Sequence, residues 1–188
     1  MGHHMQITSA AYHEAAHAVI AAVLGLPLMR TGIHIDTLGH GVLFLSHRDP
    51  GDPSNTAEDK IHRERTIVEL KAGRIAQCKV WSNCDPVRFL PDEGAEFLLL
   101  KEMYGEDKEA LRRADAVLTV RSEELVGQHW RAIEGVANAL LRKPIQATGT
   151  FTRAECDAMG EYEMWMDGFE LAETLGQFGL LPIVRDES

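Results

Sequence analysis

Two histidines and a glutamate stand close together near the start of the chain, in the segment AAYHEAAHAVIAAVLG. His13 and His17 are four residues apart, and Glu14 directly follows the first of them. On a helix, side chains four residues apart project from one face with Cβ atoms about 5–6 Å apart, so both imidazoles can bind one zinc ion. Glu14 lies about 100° further round the helix, where its carboxylate can reach a water on that zinc. The pattern HExxH therefore predicts two metal ligands and a general base.

The chemistry that this pattern serves is hydrolysis. Zinc lowers the pKa of a bound water to about 7 and polarises a carbonyl oxygen. A nearby carboxylate takes the proton of that water and passes it to the leaving amine. Random order in a chain of this composition would give about 0.04 HExxH matches, so chance is a minor explanation. The alternative interpretation is a helix whose polar stripe simply faces solvent.

A catalytic zinc site needs a third protein ligand and one open coordination position. The extended pattern HExxHxxGxxH is absent, because Ile20 and Val23 occupy the places of its glycine and third histidine. The site is therefore not of the metzincin type, and we expect the third ligand further along the chain. The candidates are Asp85, Asp92 and Glu93, followed by the less favoured His34 and His129.

Hydrophobic periodicity divides the chain into helical segments and one hairpin. Helical spacing predicts helices over residues 9–25, 56–80, 93–104, 109–141 and 152–176. Gly127 and Gly135 permit a bend in the fourth of these segments, which is either one long helix or two abutting helices. Alternating Ile33 and Ile35, the turn signal LGHG and the run VLFL predict a β-hairpin over residues 30–47. The expected fold class is α+β, mainly α.

Composition limits the setting in which this protein works. The chain has 188 residues and a formal net charge of −10, which argues against nucleic acid as a partner because phosphate binding needs a basic surface. No apolar run reaches the roughly 18 residues of a membrane span, and no signal peptide is visible. The 3 cysteines form no CxxC pair, which favours plain thiols in a reducing compartment, the cytoplasm. We interpret MGHH, residues 1–4, as an expression-tag remnant and residues 5–188 as one domain.

The segment around the histidines resembles the zinc-peptidase domain of FtsH-type ATP-dependent proteases, whose first helix carries an AYHEAGHA-like motif. In that family a short β segment follows, as TGIHIDTLGHGVLFL does here, and then a helix with a GGRAAEE-like segment. Residues 69–77, ELKAGRIAQ, match that segment in place and type. The resemblance covers roughly residues 9–160 in order, and HExxH is its only sharp motif. It implies a zincin-like helical domain with a small β-hairpin or sheet.

The resemblance also implies a ligand set and partners. The third zinc ligand of the family is an aspartate at the start of the next helix, and the matching residue here is Asp92, in LPDEGAEFLLL. Two features depart from the family: Ala16 replaces a glycine of the motif, and the GASND context of the third ligand is missing. No GxxxxGK[ST] phosphate loop is present, so the ATPase module of the family is absent from this chain. The family implies self-association into a homo-oligomer and an ATPase that would act in trans.

The hairpin supplies a candidate for substrate binding. Zinc peptidases commonly bind an extended substrate against an edge strand through backbone hydrogen bonds. We predict this role for the segment GVLFL, which comprises Gly41, Val42, Leu43, Phe44 and Leu45. An ordinary core strand is the alternative, and the two interpretations are compatible.

Two functions follow from these patterns. The first is a zinc metalloendopeptidase that hydrolyses peptide bonds of unfolded or extended polypeptides, with His13, His17 and Asp92 as ligands and Glu14 as base. The second is a catalytically inactive FtsH-peptidase-like module that acts in protein binding or regulation. The intact Glu14 favours the enzyme, because a binding module has no need for a carboxylate beside a metal-bound water. The sequence does not identify the physiological substrate.

Overall fold

A small four-stranded sheet packs against a group of helices in the computed structural model, which describes residues 2–36, 41–45, 56–81, 90–146 and 163–186. The described helices are α1 (Gly2–Leu24), α2 (Ala57–Val80), α3 (Leu90–Tyr104), α4 (Lys108–Gln128), α5 (Trp130–Leu141) and α6 (Gly168–Gly176). The described strands are β1 (Leu28–Asp36), β2 (Gly41–Leu45), β3 (Glu163–Met166) and β4 (Val184–Arg185). The expected class, α+β and mainly α, is confirmed.

Strand β1 is the centre of the sheet. It pairs antiparallel with β2 on one side, where Ile33 faces Leu43, and antiparallel with β3 on the other, where Ile33 faces Met166. Strand β4 runs parallel to the beginning of β1. Among the described strands, β2 pairs only with β1, so its second side is an open edge. The predicted antiparallel pair of strands is confirmed, and residues 38–40 of the predicted turn lie outside the described part of the chain.

The predicted helix over residues 152–176 is wrong in its middle. Residues 163–166 form β3, because Met164 and Met166 are buried while Trp165 between them is exposed, and this alternation belongs to a strand. The helix begins only at Gly168, where the side chain of Asp167 accepts hydrogen bonds from the amides of Phe169 and Glu170. Residues 147–162 lie outside the described part of the chain.

Other helix boundaries also differ from the predictions. Helix α1 begins at Gly2 rather than at residue 9, so the presumed tag remnant is part of it. Helix α3 begins at Leu90 rather than at residue 93, which places Asp92 inside its first turn. The predicted segment 109–141 is two helices, α4 and α5, which meet at His129, close to Gly127.

Helix α1 runs through the middle of the core, where it packs on α2, α5 and β1. Its alanines at positions 11, 15 and 18 are fully buried, and their small side chains let the neighbouring helices approach closely. Larger side chains fill the remaining space, and Ile20, Ile67 and Ile133 are completely removed from solvent. Burial of each such side chain stabilises the fold by about 1.5–3 kcal/mol. The site residues of α1 are therefore held in a well-packed helix.

Two further predictions concern the membrane and the cysteines. None of the described helices combines the length and the apolar character needed to cross a bilayer.

Cys78, which is exposed near the end of α2, is disulfide-bonded. The expectation of plain buried thiols is therefore wrong for this residue.

Candidate metal centre

Helices α1 and α2 build the centre by running antiparallel with matched spacing. His13 and His17 are four residues apart on α1, and Glu69, Gly73 and Gln77 follow one another at the same interval on α2. Glu69 contacts His17 at one end of this face, and Gln77 contacts His13 at the other. Since residues four apart share one helix face, each imidazole meets its own partner on α2.

Local signals at both ends define helix α2. A capping box begins it: Asp59 N–H donates to Thr56 Oγ1 over 3.2 Å, and Thr56 N–H donates to Asp59 Oδ2 over 3.1 Å. Asp59 and Glu58 also place negative charge at the positive end of the helix dipole. The buried Ile67, Val68, Ala72 and Ala76 of α2 lie against the core. This burial turns the polar residues at 69 and 77 toward the histidines.

Three atoms capable of binding a metal converge beside α1. The Nε2 atoms of His13 and His17 lie 2.9 Å apart. Oδ2 of Asp92 lies 3.0 Å from Nε2 of His13 and 3.6 Å from Nε2 of His17. His17 is buried, His13 is at the limit of burial with 9% of its surface exposed, and Asp92 is half-buried, so Asp92 is the most exposed of the three. The structure thus brings together the three residues that the sequence predicts as ligands.

Helix α3 delivers Asp92, and two ion pairs tie this helix to α2. The ammonium of Lys71, almost completely buried on α2, contacts the carboxylate of Glu96, one helical turn after Asp92. Lys71 Nζ also lies 2.6 Å from Asp115 Oδ1 of α4, and Arg74 lies 3.4 Å from Glu93. These contacts fix the first turns of α3 against α2, which packs on the helix that carries the two histidines.

The partners of the two Nδ1 atoms define the state of each imidazole. Nδ1 of His17 lies 2.7 Å from Oε1 of Glu69 and 3.0 Å from the Glu69 backbone oxygen. Nδ1 of His13 lies 3.1 Å from Oε1 of Gln77, whose amide nitrogen donates to Ser9 Oγ over 3.3 Å. These oxygens accept, so each Nδ1 donates, and each ring presents the lone pair of Nε2 once that nitrogen has lost its proton. Both Nε2 atoms face the place where the three atoms meet.

The electrostatics of the cluster favour a positive charge there. Burial alone would lower the pKa of His17, but the carboxylates of Glu69 and Asp92 outweigh it and raise that pKa well above its ordinary value. Burial likewise acts to raise the pKa of Asp92, but the two imidazoles hold it well below its usual range. A shared proton or a metal cation can supply this charge, and the two compete for the same lone pairs.

The dimensions of the cluster fit a zinc ion. Ligand bonds of 2.0–2.1 Å in a tetrahedron place neighbouring ligand atoms about 3.3 Å apart. The three separations, 2.9, 3.0 and 3.6 Å, lie on both sides of that value. Gly73 keeps the space open, since a Cβ there would lie 2.3 Å from Nε2 of His17 and 2.6 Å from Nε2 of His13. Two imidazoles and one carboxylate are a ligand set that catalytic zinc sites use.

Glu14 lies beside the cluster and beneath strand β2. Its Oε1 is 4.0 Å from Nε2 of His13, too far for a shared hydrogen bond and near enough to contact a molecule at the site. Burial raises the pKa of its carboxyl, and Asp92 and Glu69 raise it further, against the opposite effect of His13 and His17. Glu14 also touches the hairpin, because a Cβ on Gly41 would lie 2.4 Å from its Cγ.

The other candidate ligands lie elsewhere in the described structure. Glu93 pairs with Arg74, and His34 lies on β1 with its Nδ1 3.6 Å from Oε2 of Glu163. His129 joins α4 to α5. Asp85 lies outside the described residues. Among the residues described, only His13, His17 and Asp92 gather as a potential metal-binding group.

Strand β2 coincides with the segment predicted to bind substrate. It spans Gly41–Leu45, and its first residue touches Glu14. Val42 is exposed, whereas Leu43 and Leu45 are half-buried against the core. The side chain of Phe44 lies outside the described part. The strand therefore packs on the core, and one of its edges pairs with no strand in the described part of the chain.

The sequence analysis missed Glu69 and Gln77 as site residues. Both are polar residues on a buried face of α2, with only 2% and 4% of the residue surface exposed. Polar residues at positions i and i+8 of such a face, with a glycine at i+4, were a signal available in the sequence. A buried polar side chain needs a partner, and the spacing matches that of the two histidines.

Comparison with known proteins adds no relative. The chain matches no protein-family model, and no curated protein matches it with significance. The likeness to FtsH-type peptidases therefore depends on the residues quoted above. By its own geometry the site can bind one divalent cation and hold a carboxylate of raised pKa beside it.

Proposed function

We propose that this protein is a zinc metalloendopeptidase that hydrolyses peptide bonds of extended or unfolded polypeptides. The observation that carries the proposal is the convergence of the Nε2 atoms of His13 and His17 with the carboxylate of Asp92. Their Nε2 atoms lie 2.9 Å apart, and Oδ2 of Asp92 lies within 3.6 Å of both. Glu14 completes the set, with Oε1 4.0 Å from Nε2 of His13.

The roles of these residues follow from their surroundings. Zinc, when bound, supplies Lewis acidity toward a peptide carbonyl and lowers the pKa of water. Glu14 takes the proton of the attacking water on its carboxylate and gives it to the leaving amine nitrogen. Burial raises the pKa of Glu14, which suits this exchange because a base works best when its pKa approaches the working pH. Glu69 and Gln77 hold the two imidazoles in the tautomer that presents Nε2.

Strand β2 supports the choice of an extended substrate. The edge of β2 that pairs with no other described strand can hydrogen-bond a peptide backbone as an added strand, which depends little on the substrate's side chains. The contact between Gly41 and Glu14 places the beginning of this edge directly beside the base. A peptide bound there would run past the carboxylate and the three ligand atoms. Folded proteins rarely offer such a free strand, so unfolded segments are the substrate class we expect.

The proposal also includes the fold family, the partners and the cellular location of this protein. An FtsH-peptidase-like domain accounts for the order of α1, the hairpin, α2 and α3 with its first-turn aspartate. Self-association and an ATPase acting in trans are implied by the resemblance alone. The cytoplasmic location stays a prediction.

The proposal is tested by zinc content and proteolysis measured together, on the parent and on Glu14→Gln. We expect about one zinc per chain in both proteins and cleavage of unfolded casein by the parent only. The loss of the base should slow turnover by about 10²–10⁴-fold.

Two other results would overturn parts of the proposal. A parent that holds zinc and cleaves neither casein nor a peptide library would favour the non-catalytic binding module. A parent that binds no zinc after reconstitution would remove the metal centre itself.

A further inference from the structure

Two different groups on α2 contact the two imidazoles. The carboxylate of Glu69 lies behind His17, and the neutral amide oxygen of Gln77 lies behind His13. The contact with the carboxylate is also the shorter one. His17 Nδ1 lies 2.7 Å from Glu69 Oε1, whereas His13 Nδ1 lies 3.1 Å from Gln77 Oε1. The HExxH motif suggests that His13 and His17 are equivalent ligands, but the groups that contact their Nδ1 atoms differ in charge.

Glu69 is an unusual residue for this position. Its side chain is 3% exposed, and its second oxygen, Oε2, has no hydrogen-bond partner in the part of the chain that the structure describes. A buried carboxylate is costly unless positive charge lies beside it. The described group that directly contacts this carboxylate is the imidazole of His17.

The tautomer of His17 does not explain the carboxylate. The backbone oxygen of Glu69 lies 3.0 Å from Nδ1 of His17 and can accept its proton without any side chain. The carboxylate therefore supplies something that a carbonyl does not, which is negative charge against the ring. Negative charge at Nδ1 makes Nε2 a better electron donor to a metal.

We propose that Glu69 is a positioning residue whose carboxylate makes His17 the stronger imidazole ligand and sets the affinity of the site for zinc. The inference rests on the proposed metal centre and adds to it a residue outside the HExxH motif. Glu69 contacts His17 and acts on the metal through that imidazole, while its charge also raises the pKa of Glu14. Gln77 serves as the uncharged counterpart behind His13.

The test is a zinc titration of three variants against a competing chelator. Glu69→Gln keeps the size of the side chain and the backbone acceptor while it removes the charge, and its zinc affinity should fall about 10–100-fold. Gln77→Glu adds a carboxylate behind His13, where the hydroxyl of Ser9 can donate to it, and should raise the affinity. The double variant E69Q/Q77E should return toward the parent.

Cobalt substitution gives a second readout that does not depend on turnover. The visible spectrum of bound Co²⁺ reports the donors, so E69Q should shift it even at saturating metal, while a merely structural role would leave it unchanged. A folded E69Q with zinc affinity within about threefold of the parent and an unshifted spectrum would overturn the inference. If E69Q does not fold, Q77E decides the matter, and unchanged affinity there would overturn it. A parent that binds no zinc would instead contradict the metal centre.

Discussion

Gly73 stands so close to His17 that a Cβ on it would lie 2.3 Å from the Nε2 atom of the imidazole. No side chain fits there without displacing a ligand atom. We therefore predict that Gly73→Ala reduces zinc affinity by about 100-fold or more, because the methyl group takes the space of the metal. Overpacking should also lower the free energy of unfolding by about 1–3 kcal/mol.

Gly127→Ala is the matched control for this substitution. Gly127 lies within α4 and has no atom near the position of an added Cβ. The control should keep zinc affinity unchanged and gain up to about 1 kcal/mol from helix propensity. Equal zinc affinity in both alanine variants would contradict the placement of the metal against Gly73.

Asp92 and Glu93 are neighbours in sequence, but we expect only Asp92 to bind the metal. Asp92 lies 3.0 Å from Nε2 of His13, whereas Glu93 pairs with Arg74. Asp92→Asn removes the negative ligand and should weaken zinc binding by about 100-fold or more, as measured by chelator competition. Glu93→Gln should leave it unchanged. The reverse order of the two affinities would make Glu93 the ligand.

Gly41 is predicted to matter for turnover rather than for zinc. A Cβ on it would lie 2.4 Å from Cγ of Glu14, so Gly41→Ala must displace either the base or the beginning of β2. A displacement of about 1 Å can slow catalysis by about 100-fold. Casein cleavage should fall by that order while zinc content stays near one per chain. Val42→Ala, at an exposed position of the same strand, should retain most activity.

Lys71 is predicted to stabilise the fold through α3. Its buried ammonium contacts Glu96 and Asp115, and its loss leaves both carboxylates without their cation. Lys71→Met should lower the free energy of unfolding by about 2–3 kcal/mol, less than for a fully buried pair because Asp115 is half exposed. The more exposed pair Lys143–Glu170 is the control. Lys143→Met should lower the free energy of unfolding, measured in urea, by at most about 1 kcal/mol. Equal effects would contradict the role of burial.

Local signals predicted much of the fold. The HExxH helix, the hairpin and α2 follow from periodicity and turn residues, which act over short sequence distances. Strand β3 could not be identified in this way, because its alternation of Met164, Trp165 and Met166 is only a few residues long. Its pairing with β1 joins residues more than a hundred positions apart. Such a strand is defined by its partner rather than by its own sequence.

The residues of the site can likewise be predicted only in part from local sequence patterns, because the rest depends on contacts between distant segments. The spacing of His13 and His17 places both on one helix face, and the acidic start of α3 made Asp92 a candidate. Choosing Asp92 over Glu93 requires the rotation of α3 against α2, which the contact of Lys71 with Glu96 helps to define. The spacing of Glu69 and Gln77 is visible in the sequence, but their pairing with His17 and His13 depends on the antiparallel packing of α2 on α1.

The most direct measurement is an X-ray absorption spectrum of the zinc-loaded protein at the zinc edge. We expect about one zinc per chain. Imidazole nitrogens and carboxylate or water oxygens should bind it directly, at zinc–ligand distances of about 2.0–2.2 Å. The His17→Ala variant should lose this signal. A shell containing sulfur, at about 2.3 Å, or zinc retained without His17 would contradict the centre described here.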